Sequence, residues 1–171
     1  MTPISLETAR LRLDPLTQDD SDFIAELLND PGFLRDIGDR GVRSPADALP
    51  YLRNGPWAMY EKHGFGLLRV ALRDSGEKIG MCGLLQREWL DEPDIGFSFL
   101  QRHCASGYGR ESAQAVLDDA AQRLGVTRVG AIVAPYNQAS VSLLEKLGLT
   151  YRKPVTPPGE ERDLAFYLRE V

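Results

Sequence analysis

The sequence predicts a mixed α/β (α+β) fold: a mostly antiparallel sheet of six to seven strands with about four flanking helices. Three observations predict it. The spacing of apolar residues switches between a period of two and a period of 3.6 along the chain, the marks of strand and helix. Three strand-like runs between residues 65 and 100 follow one another with only turn signals between them, as in an antiparallel meander. One long amphipathic helix then separates two strand runs, giving a single βαβ crossover over residues 94–134.

The elements follow in order. "ARLRLDPL", residues 9–16, alternates Leu11 and Leu13 with Arg10, Arg12 and Asp14, as a half-buried strand does. In "TQDDSDFIAELLND" Thr17 and Asp19 are N-cap candidates and Phe23, Ile24, Leu27 and Leu28 form one helical stripe, which "DPGF" ends. A glycine-rich connector, residues 38–41, leads to Ser44-Pro45, a cap followed by proline at the first helical position. That second helix should run towards Tyr60, bent or interrupted at Pro50 and at Gly55-Pro56.

"FGLLRVALR" and "KIGMCGLLQ" read as a hairpin closed by "DSGE", and "DIGFSFL", residues 94–100, as the third strand of the meander. In the next helix Ala113, Val116, Leu117, Ala120, Ala121 and Leu124 hold the apolar face, and Gly125 stands where a terminating glycine belongs. "TRVGAIVA" is a strand buried on both faces. "NQASVSLLEKLG" is a short helix from Asn137 to a stop at Gly148, and "LTYRK" and "RDLAFYLRE" close the chain as two strands. No repeat and no long linker divides the 171 residues, so one domain over 1–171 is expected.

Composition narrows the functional classes. With 43% apolar and 26% charged residues the chain can bury a core. A formal charge of −5 argues against a nucleic-acid partner, which needs a basic face, and favours a neutral or cationic substrate. No apolar run approaches a membrane span, and "MTPISLETARLRL" has neither the basic nor the apolar region of a signal peptide. A cytoplasmic protein is expected. Cys82 and Cys104, with His63 and His103, lack metal-site spacing, so no metal is expected.

The stretch "CASGYGRESA", residues 104–113, carries the chemistry. It puts two glycines one residue apart between a strand and a helix. No lysine follows as a P-loop needs, and G-x-G-x-x-S misses the dinucleotide fingerprint by one residue, in an antiparallel setting. Two readings stand: a tight turn with no ligand, or a cup of backbone amides for an anion at a helix N-terminus. One strand later, Asn137 at an N-cap and Ser140 one turn in lie at the strand's C-terminal end, where ligands collect in open α/β sheets. Each equally reads as an ordinary cap and an ordinary hydroxyl.

Taken together, "TARLRLDPLTQDD", "DIGFSFL", "CASGYGRESAQAVL" and "NQASVSLLEKLGL" resemble the GCN5-related N-acetyltransferase (GNAT) superfamily, in particular its RimJ/RimL-type branch of ribosomal-protein N-terminal acetyltransferases. The resemblance covers nearly the whole chain. One position departs: Cys104 stands where the signature R/Q-x-x-G-x-G/A begins with Arg or Gln.

The resemblance implies acetyl-CoA as co-substrate, an amine as acceptor, and a central strand that is bulged and splayed from its neighbour. The amides of Ala105, Gly107, Tyr108, Gly109 and Arg110 would hold the CoA diphosphate, with added charge from Arg110 unless that side chain is simply solvated. Gly96 would mark the bulge, and Phe97, Ser98 and Phe99 would offer backbone groups to pantetheine. Asn137 would contact the pantetheine region and Ser140 would stabilise the leaving thiolate. Asp94 is the first candidate for the base, although a carboxylate in a strand-end turn reads the same; Glu88, Asp91 and Glu92 are less specific. Cys104 and Cys82 are not expected to act as nucleophiles, and Trp57, Tyr60, Trp89 and Tyr136 flank the expected acceptor cleft, most of them as packing. The implied reaction is direct acetyl transfer to an N-terminal α-amino group of a protein or peptide, or to a small-molecule amine, by a monomer or homodimer. The rival is a non-catalytic acyl-CoA-binding domain.

Overall fold

The computed structural model describes residues 3–171. Eight strands form one sheet in the order β1-β2-β3-β4-β5-β6-β8-β7. They are β1 (Leu6–Glu7), β2 (Leu11–Pro15), β3 (Leu67–Leu72), β4 (Lys78–Leu85), β5 (Asp94–Phe99), β6 (Arg128–Val133), β7 (Thr150–Val155) and β8 (Leu164–Glu170). All neighbours are antiparallel except β5 and β6. The expected mixed, mostly antiparallel sheet is therefore present. The count exceeds expectation by β1, whose two residues are too few to show a period.

Six helices flank the sheet in the described residues: α1 (Ser21–Leu28), α2 (Pro31–Asp36), α3 (Pro45–Leu52), α4 (Ala58–His63), α5 (Tyr108–Gln122) and α6 (Gln138–Lys146). Two more than expected arise at prolines. "DPGF" ends α1 and also starts α2, because Asp30 accepts from the Gly32 N–H as an N-cap and Pro31 fits the first helical position. Ser44 caps α3 as expected, and Gly55-Pro56 sits in a wide π turn, Arg53–Trp57, that joins α3 to α4 without breaking the rod.

Two apolar clusters hold these layers. One packs Leu117, Ala120 and Leu144 of α5 and α6 on Leu13, Val70, Leu84 and Ile95. The other packs Ile24, Leu27 and Leu28 of α1 with Leu52, Met81 and Leu100. Trp57 and Tyr60 belong to the scaffold: Trp57 Nε1 donates to the Leu16 carbonyl at 2.8 Å, and the Tyr60 hydroxyl takes the Leu16 N–H at 3.0 Å while donating to the Leu67 carbonyl.

Two features position the site. The first is the parting of β5 from β6. Their parallel ladder has a single registered pair, Asp94 with Gly130, after which the strands diverge. The second corrects the expected bulge. Gly96 pairs in register with Gly83 in an unbroken ladder, so β5 carries no bulge against β4. The extra residue is Ile79 on β4, where Val70 faces Gly80 and Ala71 faces Lys78.

Candidate active site

The gap between β5 and β6 opens towards the C-terminal ends of both strands, where the loops before α5 and α6 begin. Strand parity decides which backbone groups face it. The Leu100 N–H bonds to the Ile79 carbonyl on β4 at 2.9 Å, and the Pro93 carbonyl accepts from Gly130 of β6 at 2.8 Å. Even-numbered residues thus turn their backbone to β4 and odd-numbered ones to the β6 side. Phe97 and Phe99 present N–H and C=O groups along the unpaired edge. Ser98 does not: its carbonyl points at Gly80 so closely that a Cβ there would overlap it. The expectation that Ser98 offers backbone groups to the gap is corrected accordingly.

The segment before α5 is wound for close backbone approach. Ala105 has φ +62° and Gly107 φ +83°, left-handed conformations rare for a residue with a side chain and open to glycine. Such alternation turns successive amides to one side in an anion-binding concavity. Helical bonding starts with the Glu111 N–H on the Gly107 carbonyl at 3.1 Å, so the amides of Tyr108, Gly109 and Arg110 have no partner inside the helix. Ala105, Ser106, Gly107 and Arg110 are exposed. Gly109 is tight for a second reason: a Cβ there would stand 3.0 Å from Leu143 Cδ2 on α6. An open recess of about 480 Å³ runs from this loop along α5, lined by Thr8, Gly107, Arg110 and Gln114 and by the acids Glu7, Glu111 and Asp118, so it is not itself the anion site. A diphosphate fits the loop itself: amides without a helical partner at the positive end of α5, with Arg10 close beside Gly107.

Asn137 and Ser140 stand together across the gap. Asn137 is the N-cap of α6, its side-chain oxygen accepting the Ser140 N–H at 3.2 Å. Capping uses the carbonyl end of the amide only, so its NH₂ remains a donor and the Ser140 hydroxyl a second one.

Asp94 lies at the closed end of the gap, 1% exposed. Burial raises its carboxyl above the ordinary range, and Arg87 offsets part of that through Nε bonds of 3.1 and 3.3 Å to its two oxygens. Sequence reading found Asp94 and missed Arg87, although both border the same turn and lie only seven positions apart. Of the other acids, Glu92 pairs with Arg128 at 3.4 Å, while Glu88 and Asp91 are exposed. Arg87 also lies over the Trp89 ring, 6.0 Å from its centroid.

Neither cysteine is placed for nucleophilic work. Burial pushes the Cys82 thiol up to about 12. Partial burial, then Asp30, raises Cys104, whose sulfur lies 3.7 Å from the Leu100 carbonyl. Tyr136 is 52% exposed and donates to the Arg35 carbonyl at 3.1 Å, while the Gln101 N–H donates to Asp30 at 3.1 Å. These two bonds tie α2 to the loops at the ends of β6 and β5. No cluster of three or more His, Cys, Asp or Glu suited to a metal occurs among the described residues, and no helix there is long and apolar enough to cross a membrane.

Known proteins match this arrangement. The family model for an acetyltransferase (GNAT) domain matches residues 10–150. The chain is 31% identical over 153 residues to the uncharacterized N-acetyltransferase YoaA of Bacillus subtilis, covering 86% of this chain and 83% of YoaA. Among solved structures, an acetyltransferase from Agrobacterium tumefaciens superposes with a TM-score of 0.82 at 26% identity, over 99% of this chain and 95% of that one. RimL, a ribosomal L7/L12 alpha-N-protein acetyltransferase in complex with coenzyme A, shares the fold with a TM-score of 0.82 at 16% identity, over 99% and 97%. With a parted parallel pair, a glycine loop at the head of α5 and a family match over most of its length, the chain belongs to the GNAT family of acetyl-CoA-dependent N-acetyltransferases.

Proposed function

We propose that the protein transfers the acetyl group of acetyl-CoA directly to a primary amine, either an N-terminal α-amino group of a protein or peptide or a small-molecule amine, as a RimJ/RimL-type enzyme. The observation that carries this reading is the single-pair ladder between β5 and β6, which leaves the Phe97 and Phe99 edge free beside the amide cup at Ala105–Arg110. An extended pantetheine arm can complete the ladder along that edge as an added strand does. An edge amide also supplies a donor for the thioester carbonyl as charge develops there. The fold likeness to RimL supports the N-terminal acceptor.

Asn137 anchors the arm through its free NH₂, and the Ser140 hydroxyl donates to the departing thiolate. The acceptor attacks as a neutral amine, and Asp94 takes its proton. The carboxyl is 1% exposed, and its proton transfer is assigned to an intervening water. No covalent enzyme intermediate is required when amine and thioester are held together.

The test is thiol release from acetyl-CoA across a panel of N-terminal peptides and small amines, run beside a thermal-shift titration. At 100 times Kd a ligand adds about 2.7 kcal/mol. Release with peptide N-termini above that with small amines supports the reading. A thermal shift without thiol release from any acceptor means acyl-CoA binding without transfer. No shift at millimolar acetyl-CoA removes the site.

A further inference from the structure

We propose that Arg10, in the turn between β1 and β2, is a positioning residue that sets the diphosphate-binding loop before α5, a role resting on the reading of that loop as the acetyl-CoA diphosphate site. One guanidinium meets four points of the loop and first helical turn, although about a hundred residues separate them in sequence. Nε donates to Glu111 Oε1 at 2.7 Å and Nη1 to the Ser106 carbonyl at 3.0 Å. The guanidinium carbon lies 4.4 Å from the centre of the Tyr108 ring. Nη2 lies 3.2 Å from where a Cβ on Gly107 would stand. Glu111 is gripped further by the Arg10 N–H at 2.9 Å and by the Thr8 hydroxyl.

Two consequences bear on an anion. The Ser106 carbonyl and the Gly107 N–H belong to one planar trans peptide and point in opposite directions. Drawing the carbonyl onto Arg10 therefore aims the Gly107 N–H away from Arg10 and the β1–β2 turn. Glu111 is the second. An acid in the first turn suits the helix dipole but repels a diphosphate at the same end. Arg10 neutralises it and holds it against the β1–β2 turn. A single charge could screen Glu111; only a forked, planar cation can do so while bonding Ser106 and lying over Tyr108.

The test compares Arg10→Ala, Arg10→Lys and Gly107→Val with two acetyl donors: acetyl-CoA, and S-acetylpantetheine, which has no diphosphate. Arg10→Ala is expected to raise KM for acetyl-CoA about tenfold while kcat at saturation and kcat/KM for S-acetylpantetheine stay within about twofold. Arg10→Lys is expected to recover only part, about threefold above wild type, since it keeps the charge and loses the fork. A merely structural brace would lower both donors together and reduce the unliganded Tm; that outcome overturns the proposal, as does an acetyl-CoA KM within twofold of wild type for Arg10→Ala. If Arg10→Ala fails to fold, Arg10→Lys decides by the same split between donors. Gly107→Val separates the two layers: a raised KM there beside an unchanged one in the Arg10 variants removes Arg10's role alone. An unchanged KM in Gly107→Val removes the loop assignment itself.

Discussion

Arg87 Nε lies 3.1 Å from Asp94 Oδ1, tying the turn after β4 to the first residue of β5 at the closed end of the parted strands. The carboxylate is buried while its cation is 35% exposed. Burial raises Asp94 and Arg87 lowers it, with burial the larger effect.

This pair predicts a pH signature. Because Asp94 is raised, its basic form is lost as pH falls through a value above the ordinary carboxylate figure of about 3.9. Arg87→Gln removes the opposing cation and should move that acid limb of kcat/KM to higher pH. Asp94→Asn, which keeps an acceptor for Arg87, should abolish the limb and cost on the order of 10²-fold in rate. The acceptor's own titration is common to all three proteins, so differences among their profiles belong to the pair. A limb that persists unchanged in Asp94→Asn rules Asp94 out as base.

Gly107 should be the cleaner of the two loop glycines to probe. Its φ of +83° makes a β-branched residue strained, by about 1–2 kcal/mol for left-handed backbone, and the strain falls where the cup forms. Gly107→Val is expected to raise KM for acetyl-CoA tenfold or more, equivalent to about 1.4 kcal/mol, with a Tm loss of a few degrees. Gly109→Val presses on Leu143 and should disturb α6 as well, lowering Tm further. Steady-state KM and calorimetry on both variants check this; an unchanged acetyl-CoA KM in Gly107→Val refutes the assignment.

Asn137 and Ser140 separate by stability and chemistry. Asn137→Ala deletes the cap of α6, costing about 1 kcal/mol, and should also raise KM. Ser140→Ala leaves the capping bond intact, because Ser140 contributes its backbone N–H to it. Its stability should hold within about 0.5 kcal/mol while kcat falls about tenfold at neutral pH. Above the thiol pKa of about 8.5 the thiolate leaves without help, so the deficit should narrow. A Ser140→Ala variant with wild-type kcat at pH 7 excludes the hydroxyl from the reaction.

What could be read before folding was local. Strand periods located seven of the eight strands, and the regular stripe of α5 located that helix, because both follow from which face is buried. Gly107 stood out as one of two glycines spaced one residue apart between a strand and a helix, Asn137 as a cap, and Ser140 through the family resemblance of "NQASVSLLEKLGL". Tertiary partners did not. The Arg10–Glu111 bond spans 101 positions, and nothing in "ARLRLD" distinguishes Arg10 from Arg12, which pairs with Glu7 and Asp14 instead. The parity that turns Ser98 to β4 depends on the register with Met81, which no run of residues displays. The expected bulge went to Gly96 because a lone strand glycine suggests one, whereas the displaced residue, Ile79, is a buried apolar side chain with no local mark.

The strand glycines of β4 have another use, which yields a last prediction. A Cβ at Gly83 would overlap the Gly66 carbonyl on the β3 side, and one at Gly80 would overlap the Ser98 carbonyl on β5. Both substitutions must move backbone, and overpacking of this kind costs about 1–3 kcal/mol. The two shifts go to different places. Gly83→Ala pushes on the chain entering β3, remote from the gap, and should lower Tm with little change in KM for acetyl-CoA. Gly80→Ala pushes Ser98, and with it the adjoining Phe97 and Phe99 edge, towards the gap. It should lower Tm and also raise the acetyl-CoA KM. Thermal unfolding and donor kinetics on the two variants check the contrast. If Gly80→Ala binds acetyl-CoA as wild type does while losing as much stability as Gly83→Ala, the Phe97–Phe99 edge is not where the donor lies.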